Sequence, residues 1–333
     1  MANILVTGGA GFIGSHVADC LLERNHRIVV LDDLSGGFED NVPKRATFVS
    51  GSILDQALLK KLYEEYAFDY VFHLAAYAAE GLSHFIKHFN YENNLIGSIN
   101  LINLSINHRI KCFVFTSSIA VYGKTQLPMR EDMIPVPEDS YGIAKLAVEQ
   151  DLKVSHDMFG MPYIIFRPHN VYGERQNIGD KYRNVVGIFM NQMMQGQPMT
   201  IFGDGNQKRA FSYISDVAPV IAGAIDVPAA YNQVFNVGAD IPYTVNYLAN
   251  ESAKMFGVAA NIKYLDRRNE ADEAYSDHEK ARRVLRAESK TFLAEGLARM
   301  AKWAKMHGAR KSKDFSNIEV LTNLPPSWAT SNK

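Results

Sequence analysis

The chain has little that would tie it to an oxidising compartment, a membrane or a nucleic acid. Its 333 residues include two cysteines, and neither Cys20 nor Cys112 has metal-ligand or redox spacing. Neither a disulfide framework nor a zinc site is expected, and both read as buried thiols of a reducing cytoplasm. No run of about 18 apolar residues is present, which leaves no candidate spanning helix. The first residues enter a strand instead of a secretory leader. Net charge is −1, from 35 basic and 36 acidic residues, so no global field draws the chain to nucleic acid or anionic lipid. There is no internal repeat. His84 and His88 stand a helical turn apart without a third ligand, and no metal is expected. The basic cluster around Lys302, Lys305, Arg310, Lys311 and Lys313 reads as a solvated helix end.

What is present begins at residue 3. Asn3 to Thr7 (N-I-L-V-T) is a short β-branched run that ends in a glycine cluster, T-G-G-A-G-F-I-G. Apolar positions at helical spacing follow, from Ile13 through Val17, Ala18, Leu21 and Leu22. Glycines at a strand-to-helix turn let backbone approach a pyrophosphate, and the helix N-terminus offers it free N–H groups. A second strand, Arg27 to Leu31, ends at Asp32. An acid there accepts hydrogen bonds from the adenosine ribose and repels a 2′-phosphate, so the expected cofactor is NAD rather than NADP. Gly8, Gly11, Phe12, Ile13, Gly14 and Asp32 are the first candidate contacts.

Strands and helices then alternate. Tyr70 to Leu74, Cys112 to Thr116 and Tyr163 to Arg167 read as strands, with a long helical stretch from Tyr91 to Asn107. The expected fold is α/β, a Rossmann-type doubly wound parallel sheet with a smaller α/β substrate-binding lobe. We expect the NAD-binding domain over 1–170 and the lobe mainly over 171–310, with segments around 211–238 returning to the main sheet. Residues 311–333 are expected to be a polar, poorly ordered tail. In the middle, Tyr141 and Lys145 lie at i and i+4 on one helix face. An ammonium near a phenol favours phenolate and draws its pKa down towards neutrality, where a general base works best. Ser118, just past a strand end, is placed to share the same substrate hydroxyl.

The chain resembles the extended short-chain dehydrogenase/reductases, and within them the nucleotide-sugar epimerases, nearest in type to UDP-glucose (UDP-galactose) 4-epimerases. The resemblance covers about residues 2–310. It rests on T-G-G-A-G-F-I-G-S-H, L-D-D-L-S, H-L-A-A, N-N-L-I-G, S-S-I-A-V-Y-G, Y-G-I-A-K, R-P-H-N-V-Y-G and F-G-D-G-N-Q-K-R-A-F in that order. It implies Ser118, Tyr141 and Lys145 as the catalytic set. It implies Asp33, Ser35, Gly36, Ser52, Ile53, Leu74, Ala75, Ala76, Asn94, Thr116 and Pro168 as further NAD contacts. For the UDP-sugar it implies Asn170, Val185, Phe202, Arg209, Arg267 and Glu270. It further implies a homodimer through the helices around 91–108 and 142–158.

Related reactions are set apart by single positions. Where sugar-nucleotide 4,6-dehydratases carry an Asp-Glu pair and uronate decarboxylases a Glu, this chain has Ile119-Ala120, which supplies neither acid nor base. Glucuronate 4-epimerases carry an arginine where this chain has Gly81, beside Glu80. The place of a lysine found in bacterial galactose epimerases is Ala78, and Ala274 leaves room for an N-acetyl group. A UDP-hexose 4-epimerase is the leading expectation. The alternatives are a glucuronate 4-epimerase, a reductase or dehydratase of the same family, and a non-catalytic NAD sensor.

Overall fold

Seven parallel strands form the centre of the molecule. In a computed structural model, which describes residues 1–124, 126–268, 270–311 and 315–328, these are β1 (Asn3–Thr7), β2 (Arg27–Asp32), β3 (Thr47–Ser50), β4 (Tyr70–His73), β5 (Cys112–Thr116), β6 (Tyr163–Pro168) and the strand Gln233–Val237. Their spatial order is Gln233–Val237, β6, β5, β4, β1, β2, β3. The chain runs outward from β1 in one direction and from β4 in the other, so the loops after these two strands part and leave a crevice. Thr7 pairs with both Leu31 and His73, and Thr116 with Phe166, which brings the carboxyl ends of the strands to one edge.

Both faces of the sheet are covered, which is why its strands read as unbroken apolar runs. Successive side chains alternate faces. Ile4, Val6 and Val30 pack with Val17 and Leu21 of α1 (Phe12–Glu23) and with Val217 and Ile221 of the helix Ile214–Gly223. Leu5, Val29 and Phe113 pack on the other side with Leu59 and Leu62 of α2 (Gln56–Tyr66), Leu101, Val148 and Leu152. The stretch read as helical from Tyr91 is continuous, but it widens into a π turn over Glu92–Ile96 before the α-helix Gly97–Asn107.

Beyond β6 the chain builds small sheets. Met199–Phe202 pairs with Ile262–Leu265, and Lys208–Ala210 lies between Pro242–Thr244 and Glu273–Ala274. The polar tail departs from expectation. Residues 315–328 pack back onto the body, and Trp328 is only 3% exposed, in a cluster with Leu82, Ile86 and Tyr182. Four of this segment's six apolar residues besides proline (Phe315, Ile318, Leu324 and Trp328) supply the buried contacts, and low overall hydrophobicity hid them.

Candidate active site

One continuous cleft of about 1390 Å³ runs along the carboxyl edge of the sheet and under the smaller lobe. Two glycines shape its floor. A Cβ on Gly14 would stand 2.1 Å from the Gly8 carbonyl oxygen, and Gly8 itself has φ of +71° with its Cβ position 2.6 Å from the Ala75 amide nitrogen. The loop therefore closes tightly on the start of α1. That helix has no side-chain cap and no acid in its first turn, so its N–H groups stay open to an anion. Asp32 is held by the amides of Ala10, at 3.0 Å, and Leu34, at 2.9 Å, while burial pushes its carboxyl above the usual range.

The catalytic helix Ser140–Phe159 begins where Asp139 accepts a hydrogen bond from the Gly142 amide at 2.8 Å. Gly142 lets it begin against the Ser118–Tyr122 turn, because a Cβ there would lie 2.6 Å from the Ala120 carbonyl oxygen. Tyr141 is thereby set beside Ser118, whose hydroxyl favours the phenolate form. One turn on, Lys145 donates to the Thr116 carbonyl at 2.9 Å, and its ammonium stands 5.8 Å from the centre of the Tyr141 ring. A further turn on, Glu149 takes a fork from Arg167, at 2.9 and 2.5 Å, and a 2.6 Å hydrogen bond from Ser117. This buried pair fastens the helix to β6.

The electrostatics differ from the sequence expectation. Burial pushes the Tyr141 phenol well up, not down, and the charges of Glu80 and Asp139 add to that. Lys145 pays the same desolvation and falls to about 7, with Glu149 opposing the fall. The i, i+4 spacing fixed which face the lysine occupies, but nothing in it reported how dry the site is.

Nearly all the expected residues line this cleft: Gly8, Gly11, Phe12, Ile13, Gly14, Asp32, Asp33, Ser35, Gly36, Ile53, Leu74, Ala75, Ala76, Thr116, Ser118, Tyr141, Lys145 and Pro168 on the sheet side. Asn170, Val185, Phe202, Arg209 and Glu270 line it on the lobe side. Two differ. Ser52 turns its hydroxyl to the Leu54 amide and is not a lining residue. Asn94 is buried behind the wall, where its amide group clamps both the N–H and C=O of Tyr77. Arg267 does line the cleft, at its rim, with its side chain 63% exposed and paired with Asp272. The neighbouring Arg268 turns in instead, 3.8 Å over the Phe202 ring.

Sequence reasoning passed over Arg268, Arg183 and Trp328. Consecutive arginines on an extended segment point to opposite sides, and only the register of Ile262–Leu265 decides which one faces in. Arg183 comes from the lobe, lies over the Tyr77 ring at 4.8 Å and reaches the Gly36 backbone, while Asp180 holds its Nε at 2.7 Å. It brings a cation over the residue that precedes Ala78.

The residues fit NAD. Among the described residues the buried Thr116 hydroxyl has no partner, Lys145 presents unused donors, and the glycine loop leaves backbone-sized clearance above an open helix N-terminus. Comparison with known proteins agrees. Residues 4–238 match the model of the NAD dependent epimerase/dehydratase family, and the chain belongs to that family. It is 35% identical to a UDP-glucose 4-epimerase of Thermotoga maritima solved with UDP-glucose, with a TM-score of 0.87 over 92% of this chain and 99% of that one. It is 33% identical to a UDP-glucose 4-epimerase of Mycolicibacterium smegmatis over 89% of this chain and 96% of the relative. A UDP-glucuronic acid 4-epimerase of Bacillus cereus, solved with UDP-glucuronic acid and NAD, is 29% identical, with a TM-score of 0.85 over 92% of this chain and 99% of that one. NAD is the cofactor, and the protein is an isomerase of the epimerase type.

Proposed function

We propose that the protein interconverts C4 epimers of a UDP-hexose, with UDP-glucose and UDP-galactose as the leading pair. The observation that carries this is the meeting of Ser118, Tyr141 and Lys145 where the dinucleotide half of the cleft joins the half lined by Asn170, Phe202, Arg209 and Arg268. Arginines and the N-terminus of the helix Val185–Met194 suit a diphosphate, and Phe202 offers a flat wall to a base. Ala274, also on the cleft, leaves space for an N-acetyl group.

Bound NAD supplies the hydride acceptor and donor, and its positively charged ring favours the phenolate. Tyr141 Oη takes the proton of the sugar 4-hydroxyl and later returns it, while Ser118 Oγ hydrogen-bonds the same oxygen. The 4-keto sugar is flat at C4. The hexose turns about its phosphate linkage while the nucleotide stays gripped, and reduction on the opposite face completes the inversion. Changing Tyr141→Phe removes the proton acceptor. Turnover should fall by about 10²-fold or more with UDP affinity kept, and retained turnover would refute the assignment.

A uronate 4-epimerase is the second reading, because Arg268 brings a guanidinium into the cleft. Glu80 opposes it, since a second carboxylate there would meet like charge. We also place the enzyme in the cytoplasm, in keeping with its two free thiols. Among the described residues no helix is long and apolar enough to cross a membrane. A homodimer is supported by exposed apolar side chains on the two helices expected at its interface: Ile96 before one, Ile143, Val154 and Met158 on the other. Light scattering tests the mass.

A further inference from the structure

Residues 315–328 lie along the cleft and touch residues of both its lobe side and its sheet side. The Phe315 amide donates to the Tyr182 hydroxyl at 3.1 Å, and its ring meets Phe89 at 4.9 Å and Tyr77 at 5.5 Å. The Glu319 carboxylate accepts from the amides of His88, at 2.7 Å, and Phe89, at 2.9 Å. The amides of Glu319 and Val320 both donate to the Phe85 carbonyl. The segment ends its described course with Trp328 in the cleft wall. On one side that indole meets Phe85 and comes within 3.1 Å of where a Gly81 Cβ would stand. On the other it meets Tyr182, Phe202 and the Arg268 guanidinium, 5.4 Å from its ring.

Gly81 follows Glu80, whose charge reaches the Tyr141 phenol, and Ser83 of the same turn accepts a hydrogen bond from the Tyr141 amide at 3.1 Å. Trp328 thus joins the wall beside the catalytic tyrosine to the wall beside Phe202. We propose that this segment is a clasp over the sugar-nucleotide site and that Trp328 is a positioning residue that retains the substrate between hydride departure and return. The inference rests on the epimerase reading. An enzyme that loosens the hexose so that it can turn needs a closed wall around it. Escape at that point would carry off the 4-keto sugar, with the C4 hydride left on the cofactor and the hydroxyl proton on Tyr141, so one NADH remains on the enzyme for each keto sugar lost. The contacts that hold the clasp are edge-to-face and tilted aromatic pairs, a cation over an indole and a carboxylate on two amides, each modest singly. It can therefore release substrate without unfolding the sheet.

The test uses the NAD-loaded full chain, with Trp328→Ala, Trp328→Phe and Glu319→Ala. Glu319 lies outside the catalytic machinery, so that variant loosens the clasp even where Trp328→Ala fails to fold. Calorimetry with UDP-hexose, steady-state kinetics and the fluorescence of bound NADH are read together. Trp328→Ala should raise KM about tenfold with kcat within about threefold, and should accumulate enzyme-bound NADH together with released keto sugar in equal amounts. Glu319→Ala should shift the same way by less, and Trp328→Phe should recover most of the affinity. Wild-type KM and no NADH build-up in both Trp328→Ala and Glu319→Ala would overturn the clasp. Failure of the intact chain to bind or convert any UDP-hexose would instead overturn the function on which it rests.

Discussion

Replacing Glu149 with alanine should cost more stability than any other single change near the site. Its carboxylate is fully buried, as is the Arg167 guanidinium that it holds by two hydrogen bonds of 2.9 and 2.5 Å, and it accepts a third from Ser117. The alanine variant removes all three and leaves a charge in the core, stacked 4.6 Å over the Tyr122 ring, with no counter-ion. Arg167 already has one terminal nitrogen without a partner among the described residues, so no second acceptor stands ready there. Stranding one member of a buried pair costs about 3–5 kcal/mol, a large part of the roughly 5–15 kcal/mol that holds a domain together. At roughly 2–4 °C per kcal/mol for chains of this order of size, the melting temperature should fall by about 6–20 °C. The helix Ser140–Phe159 carries Tyr141 and Lys145 on the two turns before Glu149, so turnover should fall with it at temperatures where the fold persists. Circular dichroism melts of the wild type and Glu149→Ala, both loaded with NAD, measure the difference. A loss under about 2 °C would refute the reasoning, because the guanidinium would then have found water or another acceptor.

Arg183→Ala should weaken retention of NAD, since the side chain reaches the Gly36 backbone from the lobe and no lysine stands at position 78. NAD extracted from the purified variant measures this, and wild-type occupancy would remove Arg183 from the cofactor's surroundings. The surrounding cleft walls, with the charge of Asp139, push the Glu80 carboxyl up to about 7 although Glu80 faces the open cleft. Below that pH it is neutral, and above it an added negative charge faces an anionic substrate, so KM for UDP-hexose should rise as pH increases through about 7. Glu80→Gln should flatten that rise, and an unchanged profile would show that another group titrates. Its stability contribution runs the same way: the raised pKa favours the folded chain below the unfolded carboxyl range and is lost as pH rises through about 7.

Much of the fold could be read directly. The runs Asn3–Thr7, Cys112–Thr116 and Tyr163–Pro168 are strands with little error, because a doubly covered parallel sheet demands uninterrupted apolar β-branched sequence. The glycine loop, Asp32 and the Tyr141–Lys145 pair were legible because backbone clearance and helix period leave fixed spacings. What escaped depends on distance in three dimensions. Arg268 and Arg267 are equivalent in sequence until a neighbouring strand sets which side faces in. Arg183 sits in a loop whose direction no local rule gives. Ser52 and Asn94 fall in the right motifs, yet their polar groups are spent on Leu54 and Tyr77. The segment carrying Trp328 reads as a polar tail, because its six scattered apolar residues leave no periodic signature until the surface that receives four of them is known.

In the proposed reaction hydride leaves C4 and returns to the same carbon on its other face. The most direct measurement incubates the NAD-loaded protein, without added reductant, with UDP-glucose, UDP-N-acetylglucosamine and UDP-glucuronate, and resolves the products by NMR while following absorbance at the NADH band. Appearance of the C4 epimer of a UDP-hexose with no net NADH is the predicted result. A keto sugar formed in step with NADH, or no epimer from any of the three, would contradict it.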